Sequence, residues 1–212
     1  MKTLITGFKS VVEASNASGI LVSSLQDELP ESLGAIVDNL VFRILDVKTH
    51  TLKEEITSIL ADVKPSNCIF IGQAPGYNRI ALETIATNYR LTGPPAITGG
   101  SPQGDSIELD GPAAYMATLP EQLAIVARLN KAGIPANISF HGGNSLCNQI
   151  LYHALHYASE SPVDLKCGFL HIPALPEQVI ERWPHNPFMP LEMSRMALEI
   201  VIHGIFSKGS VT

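Results

Sequence analysis

Short apolar runs alternate along this chain with longer stretches in which apolar residues recur at helical spacing. Lys2 to Thr6 reads as a buried strand closed by Gly7-Phe8. A helix is predicted from Asn16 or Ser18 through Ile20, Leu21, Val22 and Leu25, with its exit marked by Pro30 and Gly34. Val37 to Leu45 has strand character, and Leu52, Ile56, Ile59 and Leu60 give Thr51 to Val63 an amphipathic stripe. After the break at Pro65-Ser66-Asn67, Cys68-Ile69-Phe70-Ile71 is a fully apolar strand, with Gly72 to Gly76 as the turn at its end. Residues 89–110 are polar and rich in Gly and Pro, which predicts an excursion over the surface. Pro120 to Lys131 reads as a helix with Leu123, Val126 and Leu129 on one side, stopped by Gly133-Ile134-Pro135. Ala136 to Ser139 is a strand, Leu146 to Tyr157 a helix, Gly168 to Ile172 a strand, and Leu191 to Phe206 the last helix.

Strands that alternate with helices predict an α/β protein: a central, largely parallel sheet with helices on both faces. No repeat or long linker divides the 212 residues, so a single domain over 1–212 is expected. In such sheets, sites form at the carboxyl ends of strands. Gly72 follows one strand, the Gly142-Gly143 turn follows another, and His171 lies near the end of a third.

Charged residues make up 16% of the chain and its formal net charge is −6, with no basic stripe, which argues against a nucleic-acid partner. The longest apolar runs are strand-length and no apolar leader opens the chain, so no membrane role is expected. Three cysteines, Cys68, Cys147 and Cys167, form neither a disulfide framework nor a CxxC pair. Free thiols fit a reducing compartment, and the cytoplasm is the expected location.

Cys147 follows His141-Gly142-Gly143-Asn144-Ser145-Leu146 and opens a helix. Asn144 or Ser145 is a candidate cap. A thiol in a first helical turn meets the positive end of the helix dipole, and free backbone N–H groups there suit an oxyanion. The plainer reading is a core cysteine on a stripe with Leu151, Leu155 and Ala158. Cys68 and Cys167 keep that plainer reading. His171 stands in the apolar strand Phe169-Leu170-His171-Ile172, which Pro173 ends. It is either a hydrogen-bonded core residue or an acid/base at a strand end. Glu83 stands among Ile80, Ala81, Leu82, Ile85 and Ala86, where a carboxylate is costly unless paired. It is either an outward-facing charge or the partner that orients an imidazole. A thiol, an imidazole and a carboxylate are the parts that cut an amide through a thioester. His141 is a second candidate base. His153 and His156 have a spacing that suits a metal, but no third ligand is apparent, and no metal is expected.

Four stretches carry a resemblance to a known family: Gly72-Gln73-Ala74 through Glu83 to Asn88; Asp110-Gly111-Pro112-Ala113-Ala114-Tyr115; Gly133-Ile134-Pro135 through Cys147-Asn148; and Gly168 through Gln178. Thr6-Gly7-Phe8 and Met189-Pro190-Leu191-Glu192 fit as well. In their order and spacing the chain resembles the pyroglutamyl peptidase I family, the pyrrolidone-carboxylate peptidases. The resemblance implies a three-layer α/β/α sandwich, no cofactor, a peptide or small amide substrate, and a homo-oligomer, dimer or tetramer. It also implies Cys147 as nucleophile, His171 as acid/base and Glu83 as the orienting carboxylate.

The departures fall where substrate would bind. The family normally follows its Gly-Phe with a residue and then Pro-Phe-Gly-Gly, whereas this chain reads Gly7-Phe8-Lys9-Ser10-Val11-Val12-Glu13. Val11 therefore replaces the second aromatic that sandwiches the lactam ring, while Phe8 is kept as one wall. Phe140 is a candidate replacement wall, the Gln73 backbone a candidate donor and acceptor, and Arg90 stands near the family's site arginine. These changes leave two other readings: a related cysteine amidohydrolase of altered specificity, and a non-catalytic homologue.

Overall fold

The structure is a computed structural model and describes residues 1–10, 15–48, 50–92 and 103–206. Six strands form the central sheet: β1 (Thr3–Phe8), β2 (Leu40–Leu45), β3 (Asn67–Gln73), β4 (Ile80–Glu83), β9 (Ala136–Ser139) and β10 (Lys166–Ile172). Their order across the sheet is β2-β1-β3-β10-β4-β9. The first four are mutually parallel, β4 runs antiparallel to β10, and β9 is parallel to β4. Four short strands stand outside it: β5 (Ile85–Thr87) pairs with β8 (Ala114–Met116), and β6 (Arg90–Thr92) with β7 (Gln103–Asp105). The latter pair falls within the stretch expected to run over the surface.

The helices are α1 (Ala17–Asp27), α2 (Leu52–Val63), α3 (Gln122–Lys131), α4 (Leu146–Glu160), α5 (Pro176–Arg182) and α6 (Leu191–Phe206). One apolar cluster joins Ile5, Ile69, Ile71, Leu82 and Leu170 to α1, α3 and α6. The other joins Leu4, Cys68, Phe70, Cys167 and Phe169 to α2 and α4. Odd and even positions of each strand thus face opposite layers, as the pleat requires, and the architecture is the three-layer α/β/α sandwich. No helix of the described residues is long and apolar enough to cross a membrane.

Three local readings are corrected. A 3₁₀ segment, Glu31–Asn39, takes the front of the stretch expected as strand from Val37. Its one buried residue is Leu33, so strand pairing begins only at Leu40. On α3 the buried face is Ile125 and Leu129, whereas Leu123 is 76% exposed. A helix turns roughly 100° per residue, so Leu123 stands about 120° away from Leu129. Ser145 is the N-cap of α4, but neither it nor Asn144 caps through its side chain.

β4 matters most for function. Because it is reversed against β10, Phe169 lies opposite Glu83 and His171 opposite Ala81. Residues opposite one another share a face, so Glu83 stands on the same side of the sheet as His171, one step along.

Candidate active site

The register arranges a row of residues across the face that carries α4. Gly72 of β3 pairs with His171, His171 with Ala81, and Ala81 with Asn137 of β9. Phe8 belongs to the same row, two residues beyond Thr6, which pairs with Phe70 two residues before Gly72. The expected convergence at strand ends holds for β3 and β10 but not for β9, which runs antiparallel to them, so the Gly142-Gly143 turn follows a strand end that points in the opposite direction. Glu83 arrives instead on a strand running the other way.

Cys147, second residue of α4, sits directly over Gly72. A methyl group at Gly72 would lie 2.8 Å from Cys147 Sγ and 2.7 Å from Phe169 Cζ, so glycine makes the room that the sulfur occupies. Cys147 is half-buried, unlike Cys68 and Cys167, which are fully enclosed. Cys68 and Cys167 pair across β3 and β10. Burial, then the hydrogen bond and charge of Cys167, push the Cys68 thiol well up. The core reading therefore fits those two cysteines.

His171 Nδ1 is 2.8 Å from Glu83 Oε1. Both groups are buried, at 6% and 1% exposure. Burial alone would make the imidazole less basic. Hydrogen bonds with Cys147 and Glu83, and their charges, outweigh it and raise the ring to about 9. Glu83 Oε2 has no hydrogen-bond partner among the described residues. A carboxylate so placed depends on the charge of the adjacent ring. Phe169 packs edge-on to His171 at 4.8 Å between ring centroids and Tyr77 at 5.6 Å, which holds the imidazole on two sides. Structure thus brings the thiol, imidazole and carboxylate into one cluster from α4, β10 and β4.

The start of α4 is held by its third residue. Asn148 Oδ1 accepts from Thr87 N at 2.8 Å, and Nδ2 donates to Thr87 O and Tyr89 O at 2.9 and 3.0 Å. These bonds tie the first turn to β5 and the chain beyond it. The first intrahelical bond is Gln149 N to Ser145 O at 3.2 Å. The N–H groups of Leu146, Cys147 and Asn148 precede it and are the donors that a helix start leaves available. Asn148 escaped the sequence reading as a positioning residue; its signal was an amide on an apolar helix, next to the cysteine.

The other expected residues are placed as follows. Phe8 is buried against the α2/α4 layer, and its N–H donates to Ser18 Oγ at 3.1 Å. The Gln73 side chain is occupied: Oε1 accepts from Ala17 N at 2.7 Å and from Gln178 Nε2 at 2.9 Å, leaving its backbone as the candidate for substrate. Gln178 also donates to Ser15 O and accepts from Leu175 N, so one buried amide ties together the ends of β3 and β10 and the start of α1. Phe140 is 67% exposed on the loop between β9 and α4. Val11 lies outside the described residues. Arg90 faces Asp105 at 3.4 Å, and its charge helps to lower His153. His141 is exposed, and its Nδ1 accepts from Gly143 N at 3.2 Å, shaping the loop before the thiol. Burial, partly offset by Glu108, lowers His153 to about 4. No group of metal-ligating side chains occurs among the described residues.

A model of the pyroglutamyl peptidase family matches residues 1–208. The chain belongs to the pyroglutamyl peptidase family. It is 34% identical over 207 residues to the pyrrolidone-carboxylate peptidase of Brachyspira hyodysenteriae, covering 95% of this chain and 97% of that protein. It is 39% identical over 201 residues to pyrrolidone-carboxylate peptidase 2 of Photorhabdus laumondii, covering 94% and 88%. A mutant pyrrolidone carboxyl peptidase from Pyrococcus furiosus superposes with a TM-score of 0.85 at 31% identity, over 98% of this chain and 99% of that one. The enzyme of Thermococcus litoralis gives 0.82 at 32%, over 97% and 93%.

Proposed function

We propose that this protein is a cysteine peptidase that removes an N-terminal pyroglutamyl residue, with Cys147 as nucleophile, His171 as acid/base and Glu83 as the orienting carboxylate. The observations that support this reading are the His171–Glu83 pair at 2.8 Å and the Cys147 sulfur standing over Gly72, the residue paired with His171 on the next strand.

Cys147 Sγ, its proton already held by His171, attacks the carbonyl carbon between the pyroglutamyl group and the next residue. The Cys147 N–H donates to the oxyanion that forms. Collapse of the tetrahedral species breaks the C–N bond as His171 returns its proton to the leaving amine. Water then gives a proton to His171 and attacks the thioester. The C–S bond breaks, the acid leaves and the thiol is restored. Glu83 fixes the ring tautomer and balances the positive charge held during each transfer.

The ring subsite lies on the β1 side of the thiol, with Phe8 as one wall and the Gln73 backbone as polar partner. A neutral lactam calls for such an apolar slot with backbone partners. Arg90 is paired with Asp105 across β6 and β7.

Two further assignments belong to this proposal. Free, enclosed thiols at Cys68 and Cys167 support residence in the cytoplasm. The resemblance to the family supports a homo-oligomer, dimer or tetramer.

Amine release from pyroglutamyl, prolyl and acetyl amides tests the substrate assignment. The pyroglutamyl amide is expected to be cleaved with the highest kcat/KM. Preference for the acetyl or prolyl amide would establish the altered-specificity reading instead, and loss of all three activities the non-catalytic one.

A further inference from the structure

The row across the sheet gives the active site a direction. Reading from β1, it runs Phe8, Gly72 with the Cys147 sulfur above it, His171, Ala81 and Asn137. The acyl part of the substrate lies on the Phe8 side of the sulfur. The leaving amine takes its proton from His171, so the residue attached to that amine continues past His171, over β4 and β9. A cavity of about 240 Å³ opens there, lined by Tyr77, Asn78, Arg79, Ala81, Asn137 and Ser139.

The lining is polar. Tyr77 stands edge-on to His171. Burial, then the charges of Glu83 and Cys147, raise its phenol above the ordinary value, which places it within electrostatic reach of both. Asn137 Oδ1 is buried and has no hydrogen-bond partner among the described residues, an acceptor that a substrate N–H would satisfy. Arg79 is exposed at the mouth, and its Nε donates to Asn78 Oδ1 at 2.9 Å. Among the described residues no carboxylate joins it in an ion pair of the kind that links Lys9 to Asp46 or Lys53 to Glu108. In a chain of net charge −6, this is a local cation beside the exit path of the leaving group.

We propose that this cavity receives the residue that follows the scissile bond, and that Arg79 selects an acidic side chain there. The inference rests on the peptidase reading above and deepens it. It concerns the leaving-group side, which the lactam slot at Phe8 does not touch. Tyr77 forms the wall between His171 and the cavity, and Arg79 supplies the charge.

The test measures kcat/KM for three pyroglutamyl dipeptide amides, with Glu, Gln or Lys in second position, on wild type, Arg79→Gln and Arg79→Glu. Wild type is expected to prefer Glu over Lys by about fivefold, the scale of one solvent-screened ion pair. The preference weakens as salt is raised. Arg79→Gln brings the ratio towards one, and Arg79→Glu inverts it. A Glu-to-Lys ratio that is the same in all three proteins overturns the subsite while leaving the peptidase reading intact. A wild type that splits none of the three overturns the peptidase reading and the subsite with it.

Discussion

Replacing Cys147 with Ala is expected to reduce pyroglutamyl amide turnover by at least about 10⁴-fold, because a covalent route without its nucleophile retains only binding and the oxyanion donors. The fold should survive. Cys147 is half-buried at a helix start, and the bonds that fix that start belong to Asn148. Thermal unfolding should therefore change little, by about 1 kcal/mol or less, as for substitutions that create no cavity and strand no buried charge. Substrate binding should persist, since Phe8 and the Gln73 backbone are untouched, and equilibrium dialysis against the intact amide would detect it. A variant that keeps wild-type turnover removes Cys147 from the chemistry. A variant that loses turnover only because it unfolds, seen in the same melting curve, assigns the residue to the core.

Glu83→Gln is expected to cost about 10²- to 10⁴-fold in kcat/KM, since an amide keeps the shape but no longer fixes the tautomer or balances the imidazolium. Its pH profile carries the diagnostic part. His171 is raised to about 9 despite its burial, through Cys147 and Glu83. Wild-type kcat/KM should therefore fall on the basic side near pH 9, where the ring ceases to hold the proton needed by the leaving amine. Without the Glu83 charge, that limb should move to lower pH. Stability follows the same sign. The folded ring keeps its proton above the ordinary value of 6.5, so its contribution is complete below that pH and is lost as pH rises towards 9. Denaturation midpoints of the wild type should decline across that window, and those of Glu83→Gln should decline less. An unmoved basic limb in the variant would assign the limb to another group.

Most of the fold was legible because its elements obey simple periods. The last helix was read from Leu191 to Phe206 and is found there, and Ala136 to Ser139 is the strand expected. Gly133-Ile134-Pro135 correctly marked the end of α3, but the side it buries was misjudged at Leu123, because three-residue spacing drifts around a helix. The 3₁₀ segment before β2 was missed because its apolar residues, Ile36 and Val37, mimic a strand. The reversal of β4 was not legible either. Ile80-Ala81-Leu82-Glu83 has the same pattern in either direction, and only its pairing with Phe169 and His171 shows which holds.

The site was legible in part for the same reason. Cys147, His171 and Glu83 each broke a local rule: a thiol at a helix start, and a base and an acid in apolar strands. Such conflicts mark functional positions. Tyr77 and Gln178 broke none, and Asn148 offered only an amide on an apolar helix. Their roles arise from contacts between segments far apart in sequence: Tyr77 against His171, Asn148 against Thr87, Gln178 against Gln73 and Ser15. Pairings of that kind exist only after folding. Arg90 likewise meets Asp105, fifteen residues on, only once β6 and β7 pair.

The most direct measurement is alkylation by iodoacetamide at neutral pH, with the modified cysteine mapped by peptide mass spectrometry and amine release followed in the same sample. One label is expected, at Cys147, with activity lost in step and a pyroglutamyl substrate slowing both. Full activity with Cys147 completely alkylated, or labelling at Cys68 or Cys167 while Cys147 stays free, would contradict the account.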